Sequence, residues 1–202
     1  MALKIVLSYI YLHLIKVLKM KKFKLSAVLI TCTVLFGCAS GAKVENMSVK
    51  SGELSTKYDR ALSDGIKITD VSGGKKTNPA WTSEISSEAF SEALKNSLVA
   101  ENIYLSDGRY SLTAELLKVK QPALGISMKV TTHIRYILSD TKKNDSVLLD
   151  QTLVVPYTAT LGDAFVGTKR LRLANEGSAK ENIKELLRML GELNISEVSV
   201  SQ

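Results

Sequence analysis

The chain has 202 residues, which is enough for one medium-sized domain with additional segments. Its formal charge of +7 is typical of many nucleic-acid-binding proteins, but here the excess is localised. Residues 1–37 contain six lysines and no acidic residue, whereas the remaining 21 basic residues are balanced by 20 acidic ones. The charge therefore belongs to the N-terminal segment and does not indicate a nucleic acid as a partner.

Residues 1–19 are apolar with scattered lysines, and they precede a second methionine, Met20, at which a complete export signal begins. We expect this stretch to be an upstream extension assigned in error, with translation starting at Met20. The alternative is a first transmembrane or amphipathic helix, although Lys16 and Lys19 interrupt its apolar pattern.

Residues 20–37 have the organisation of a bacterial signal peptide. Lys21, Lys22 and Lys24 form a positive first part, and an uncharged, mainly apolar run of twelve residues follows over 25–36. That run is too short to cross a bilayer, which takes about 20 residues. The pattern predicts export, with cleavage between Gly37 and Cys38.

The four residues Leu35-Phe36-Gly37-Cys38 resemble the lipobox of bacterial lipoproteins, although Phe36 is larger than the motif usually has. The resemblance implies that Cys38 carries a covalent diacylglycerol and a further acyl chain such as palmitate. Two or more chains give stable anchoring. Because Ala39 rather than an aspartate follows the cysteine, the resemblance also implies the periplasmic face of the outer membrane.

Cys32 lies within the signal peptide, so the mature chain keeps one cysteine and no intramolecular disulfide is expected. Residues 38–63 are predicted to be the lipidated cysteine and a flexible tether, because residues 39–55 are polar and contain few large apolar side chains. Within them, residues 44–49 are an alternative candidate for a short edge strand.

A folded domain is predicted over residues 64–195, with residues 196–202 as a tail. Strands alternate apolar and polar residues, helices repeat them every three to four, and Asn78-Pro79 offers a helix N-cap. Taken in chain order, the predicted elements are a strand over 65–71, a helix over 79–100, strands over 110–116, 128–138 and 147–157, and a helix over 168–193.

This order predicts an α+β fold, a two-layer sandwich in which a mainly antiparallel sheet of about four strands is covered by two helices. The first strand is separated from the others by a helix and is expected at an edge. The β-α-β-β-β-α order, together with the stretch over 162–171 and Ala174-Asn175-Glu176, resembles small uncharacterised proteobacterial accessory lipoproteins. Related architectures include the lipopolysaccharide-assembly lipoprotein and activators of penicillin-binding proteins. Architecture alone does not transfer a function.

Residues for catalysis are sparse. The mature chain has one histidine, His133, at a polar-face position of a predicted strand, and no G-x-S-x-G motif accompanies it. The Gly73-Gly74-Lys75-Lys76-Thr77 stretch lacks the leading glycine of a phosphate loop. We therefore predict a protein that is not an enzyme, with no metal and no cofactor besides the lipid on Cys38.

The loop predicted over 156–167 is the candidate contact region, because it carries Tyr157 and Phe165 among small residues. The alternative is that both rings are buried. We expect an accessory, assembly or scaffold module with an envelope protein as partner, bound through this loop or an edge of the sheet. The alternative function is a carrier, which requires an apolar cavity of about 300 Å³ or more.

Overall fold

The alternating segments of the sequence form four strands, and the two amphipathic segments form helices that cover them. The computed structural model describes residues 39–80 and 82–195, so Gly37, Cys38, Trp81 and the 196–202 tail lie outside the described residues. In chain order, the elements are α1 (Val44–Met47), a 3₁₀ helix (Arg60–Asp64), β1 (Ile66–Ser72), α2 (Ser87–Ala100), β2 (Tyr110–Lys120), β3 (Met128–Asp140), β4 (Ser146–Ala159) and α3 (Gly167–Glu192).

The sheet has the order β1-β2-β3-β4. β1 pairs parallel to β2, and the connection between them passes through α2. β2, β3 and β4 form two consecutive antiparallel hairpins. The predicted α+β fold with a mainly antiparallel sheet of about four strands is confirmed. The one parallel pairing is that of β1, which lies at an edge as expected.

One face of the sheet carries the core. Every second side chain is buried in β3 and, as far as Leu116, in β2, and the apolar side of the last helix is buried as well. The helices pack on this face because both surfaces are apolar. The fully buried residues at its centre include Phe90, Leu94, Leu112, Ile134, Tyr136, Leu138, Ile183, Leu186 and Leu190.

The first long helix begins later than its sequence predicted. The Ser86 hydroxyl accepts a hydrogen bond from the Ala89 N–H at 3.1 Å, so Ser86 is the N-cap. Asn78 instead closes a turn in which its side chain accepts from the Ala80 N–H at 3.0 Å. The predicted start at Pro79 with Asn78 as N-cap is therefore wrong, and the helix begins at Ser87.

The segment expected to be a flexible tether differs most from its prediction. Residues 44–47 form α1 instead of a strand, and Met47 and Val49 are 0% and 1% exposed. The Glu176 carboxylate on α3 accepts from the Lys43 N–H at 2.9 Å and from the Asn46 side chain at 2.8 Å. Two buried apolar side chains and one buried carboxylate therefore hold this segment on the domain.

Candidate functional site

The described chain enters the domain beside the N-terminal end of α3. Ala39, the first described residue, donates its N–H to the carbonyl of Pro79 at 2.8 Å. Ser40 accepts a hydrogen bond from the guanidinium of Arg172, in the second turn of α3. The lipidation residue predicted from sequence, Cys38, precedes Ala39 by one peptide bond.

The two aromatic residues predicted to share a contact loop lie in different places. β4 continues to Ala159, so Tyr157 is in a strand and not in the loop. Its ring packs on Gly177 of α3 so closely that a Cβ at position 177 would lie 2.4 Å from the Tyr157 Cδ1. Phe165 is in the loop and is 90% exposed. The structure does not bring the two rings together as one contact site.

Phe165 instead belongs to a cluster of exposed apolar side chains at the end of the domain where the chain enters. Two loops form it, residues 121–127 between β2 and β3 and residues 160–166 between β4 and α3. We call this cluster the apolar tip. Its members are Leu124 (89% exposed), Ile126 (75%), Leu161, Phe165 and Val166.

A buried arginine joins the two loops of the apolar tip. Arg170, in the first turn of α3, is 6% exposed. Its guanidinium donates to the carbonyls of Ala164 at 2.8 Å and Phe165 at 2.7 Å, and to that of Gly125 in the other loop at 3.2 Å. Hydrogen bonds from a charged donor are the stronger kind, so the relative position of the loops is fixed from inside.

Three exposed lysines lie in the elements that border the apolar tip. Lys120 is at the end of β2, Lys129 near the start of β3, and Lys169 in the first turn of α3. Asp163 in the second loop accepts from the Thr160 N–H at 2.7 Å, and this hydrogen bond lowers the pKa of the carboxyl. Glu84 lies beside the first loop, where its carboxylate accepts from the Gln121 side chain at 3.3 Å. The three lysines therefore outnumber these two carboxylates.

The hairpin half of this cluster is not among the residues predicted from the sequence. Leu124 and Ile126 flank Gly125 in the stretch between the predicted strands 110–116 and 128–138. Two large apolar residues in a loop next to Pro122 were the available signal. Whether such residues turn inward or outward depends on the neighbouring loop, which is distant in sequence.

A second candidate region is the outer edge of β4, the strand at the end of the sheet opposite β1, which pairs with no further strand among residues 39–80 and 82–195. Pro156 pairs with Thr131 although it has no N–H, so its nitrogen faces away from β3. The backbone N–H groups of Thr152 and Val154 also face away from β3, because the direction of the backbone groups alternates from one residue to the next along a strand. Next to them lies an open groove of about 350 Å³, lined by 152–155 of β4 and by Glu181, Glu185 and Arg188 of α3.

Beneath this edge, α3 is held to the sheet by buried polar side chains. The Ser178 hydroxyl accepts from the Thr132 N–H at 3.0 Å and donates to the Val155 carbonyl at 2.7 Å. Asn182 accepts from the Tyr136 hydroxyl at 2.9 Å, and burial raises the pKa of that hydroxyl. These groups satisfy one another, which is the arrangement expected of a structural network.

Other chemistry has little support in the described part of the chain. His133 lies in β3 opposite Val154, on the sheet face away from the helices. Within residues 39–80 and 82–195, no group of three or more His, Cys, Asp or Glu side chains is placed to hold a metal ion. No helix in these ranges is both long and apolar enough to cross a bilayer.

Comparison with known proteins shows a likeness of fold. The chain matches no protein-family model and no curated protein sequence. Among solved structures it is similar to protein XCC0632 from Xanthomonas campestris, of the family DUF330, with 8% identity and a TM-score of 0.52 over 75% of this chain and 99% of that one.

Two further similar structures have lower scores. One is described as a candidate lipoprotein from Caulobacter crescentus CB15, with 13% identity and a TM-score of 0.45 over 70% of this chain and 95% of that one. The other is a minor lipoprotein from Acinetobacter baumannii, with 9% identity and a TM-score of 0.40 over 65% and 94%. Of the three, XCC0632 supports a shared α+β fold, and its likeness extends to the fold alone.

Proposed function

We propose that this protein is a lipid-anchored accessory lipoprotein of the bacterial cell envelope, which binds another envelope protein without catalysing a reaction. The lipobox at 35–38 supports the anchor, and Ala39 supports the periplasmic face of the outer membrane. The partner would bind along the free edge of β4.

The uncovered β4 edge carries this proposal. A strand with one neighbour presents unpaired N–H and C=O groups that an extended segment of another protein can pair with. The groove beside Thr152 and Val154 leaves room for side chains of such a segment, and Glu181, Glu185 and Arg188 offer polar contacts. Pro156 lacks an N–H and would limit how far the pairing extends.

The carrier hypothesis has less support. The centre of the sheet–helix layer is filled by side chains such as Phe90, Tyr136 and Leu94, each 0% exposed. The groove beside β4 is open and lined partly by charged residues. A carrier for an apolar ligand requires an enclosed and mostly apolar cavity instead.

Site-specific photo-crosslinking in the intact envelope tests the edge. We expect a photoreactive residue at Thr152 to capture one defined protein, and the same residue at Lys142, in the turn after β3, to serve as control. In the protein with the photoreactive residue at position 152, Val154→Pro removes a backbone N–H that faces the edge, whereas Val154→Ala keeps it. The proposal predicts loss of the crosslink with proline and its retention with alanine. Equal capture by both variants, or from both labelled positions, would contradict it.

A further inference from the structure

We infer that the apolar tip inserts into the lipid bilayer to which Cys38 is tethered, so that the domain lies directly on the membrane surface. The inference rests on the lipid anchor of the proposed function and adds a second membrane contact to it. Its partner is a phospholipid surface with anionic headgroups.

The position of the chain entry is the first argument. Ala39 is fixed on Pro79, and Cys38 is the residue directly before it in the sequence. The turn that contains Pro79 continues to Ser83, whose carbonyl accepts from the side chain of Gln121 at 3.0 Å. Gln121 is the first residue of the loop that carries Leu124 and Ile126.

The anchor and the apolar tip therefore lie at the same end of the domain. Since residues from Ala39 onward pack on the fold, no long flexible linker separates the lipidated cysteine from the domain. Once the acyl chains are in the bilayer, this end must face the membrane at short range. Insertion of the tip is then favoured by a high effective concentration, as for any second contact within one molecule.

The chemistry of the tip is the second argument. Single exposed apolar residues are common on proteins, but Leu124, Ile126 and Phe165 are each at least 75% exposed and belong to two loops joined by Arg170. Apolar side chains of this kind enter the boundary between headgroups and acyl chains. The loops supply them without requiring any helix to cross the bilayer.

The charges around the tip are the third argument. Lys120, Lys129 and Lys169 are exposed and lie in the elements that border the two loops. Each lysine held near an anionic membrane strengthens binding by about fivefold. An apolar centre with lysines at its border is complementary to the apolar interior and the anionic headgroups of a bilayer.

The test measures the environment of the tip in the full-length lipidated protein, reconstituted in phospholipid vesicles that contain phosphatidylglycerol. Variants Leu124→Cys and Phe165→Cys are labelled with the environment-sensitive fluorophore NBD. The thiol of Cys38 is blocked by its lipid, so the introduced cysteine reacts. Lys142→Cys, in the turn between β3 and β4, is the matched control.

We expect a blue shift of NBD emission and quenching by bromine-labelled lipids at positions 124 and 165, and neither effect at 142. The shift should weaken in vesicles of neutral phosphatidylcholine alone. Water-like emission at all three positions, in protein shown by fatty-acid labelling to carry its lipid, would overturn the inference and leave the anchor intact. A shift that appears only in native envelopes, and not in pure lipid vesicles, would overturn it in favour of a protein partner.

Absence of the fatty-acid label from Cys38 is a separate result, which would contradict the proposed anchor.

The matched pair Arg170→Lys and Arg170→Met adds a check on the loops. Lysine keeps a charged donor and should retain part of the quenching at position 165, whereas methionine should lose more of it. Equal quenching in both variants would contradict the role of Arg170 in positioning the tip.

Discussion

Arg170 shows how one side chain can set the geometry of a surface that it does not itself form. It is buried, yet its guanidinium reaches three carbonyl groups in two loops that are about forty residues apart in sequence. These acceptors compensate in part for the water lost on burial, since they satisfy both Nη atoms while the buried Nε has no partner. Phe165 and Leu124 can therefore be exposed at fixed positions.

The two aromatic residues singled out by the sequence should behave differently when truncated. Tyr157→Ala removes the ring that packs on Gly177, and we expect it to lower the free energy of unfolding by about 1–3 kcal/mol, since the ring is partly exposed. Phe165→Ala should change stability by less than about 0.5 kcal/mol. Urea denaturation measures both. A larger loss for Phe165→Ala than for Tyr157→Ala would contradict the placement of the two rings.

The ion pair between Arg109 and Asp140, at the end of the sheet opposite the apolar tip, leads to a prediction about how stability depends on pH. Arg109 donates to the carboxylate of Asp140 at 2.8 Å through Nε, and Asp140 is 0% exposed. This hydrogen bond is the main cause that holds the pKa of Asp140 below its usual value. The folded-state pKa is thus lower than that of the unfolded chain. The contribution to stability is present above the unfolded pKa of about 4 and is lost as the pH falls through the folded pKa.

We therefore expect Asp140→Asn to be less stable than the wild type at pH 7, and the difference to shrink below about pH 4. Chemical denaturation at several pH values measures it. Asp150→Asn is the matched control, because Asp150 also pairs with an arginine, Arg135, but both side chains are 43% exposed. A stability difference for Asp140→Asn that is constant with pH would contradict the assignment.

At the scale of the elements, strands and helices differ in how well the sequence predicts them. The period-two alternation in β2, β3 and β4 identified all three strands, and the stripe from Ala179 to Leu190 identified α3. Local signals predict such elements because each buries a continuous face. The start of α2 was not predictable in this way, because Asn78 and Ser86 are both good caps and tertiary contacts decide between them.

The packing of the N-terminal segment and the residues that form the apolar tip could not be predicted from the local sequence. Met47 and Val49 are isolated apolar residues in a polar stretch, and their burial depends on α2 and α3 further along the chain. In the same way, Tyr157 and Phe165 are eight residues apart, but the strand ends between them at Ala159. The fold class was predictable, whereas the composition of the apolar tip depends on contacts between distant loops.

Glu176 makes the attachment of the N-terminal segment testable. Burial raises the pKa of its carboxyl, while hydrogen bonds from the Lys43 N–H and from Asn46 act in the opposite direction. We expect Glu176→Ala to release α1, since the Lys43 N–H loses its acceptor. Hydrogen exchange at residues 43–47 should become at least about tenfold faster, as expected for a loss of about 1.4 kcal/mol.

Glu185→Ala is the control on the same helix, because Glu185 is 46% exposed and pairs with Arg188 on its own helix. It should leave exchange at residues 43–47 unchanged. Slow exchange at these residues in both variants would show that Met47 and Val49 hold the segment without help from Glu176.

At the scale of the whole molecule, the domain has ends and edges with different properties. The helices cover one face of the sheet, β4 leaves a free edge beside an open groove, and the end where the chain enters exposes the apolar tip. A lipid on Cys38 would place that end at the membrane. The β4 edge would then be presented sideways, within reach of other proteins on the same membrane.

The most direct test of the account is whether Cys38 carries the lipid anchor. Cells that produce the wild type, Cys38→Ser or Cys32→Ser are grown with labelled palmitate, and the protein is isolated to measure the incorporated label. We predict label in the wild type and in Cys32→Ser, because Cys32 is removed with the signal peptide, and none in Cys38→Ser, which should also remain uncut. Label retained in Cys38→Ser, or absent from the wild type, would contradict the central claim.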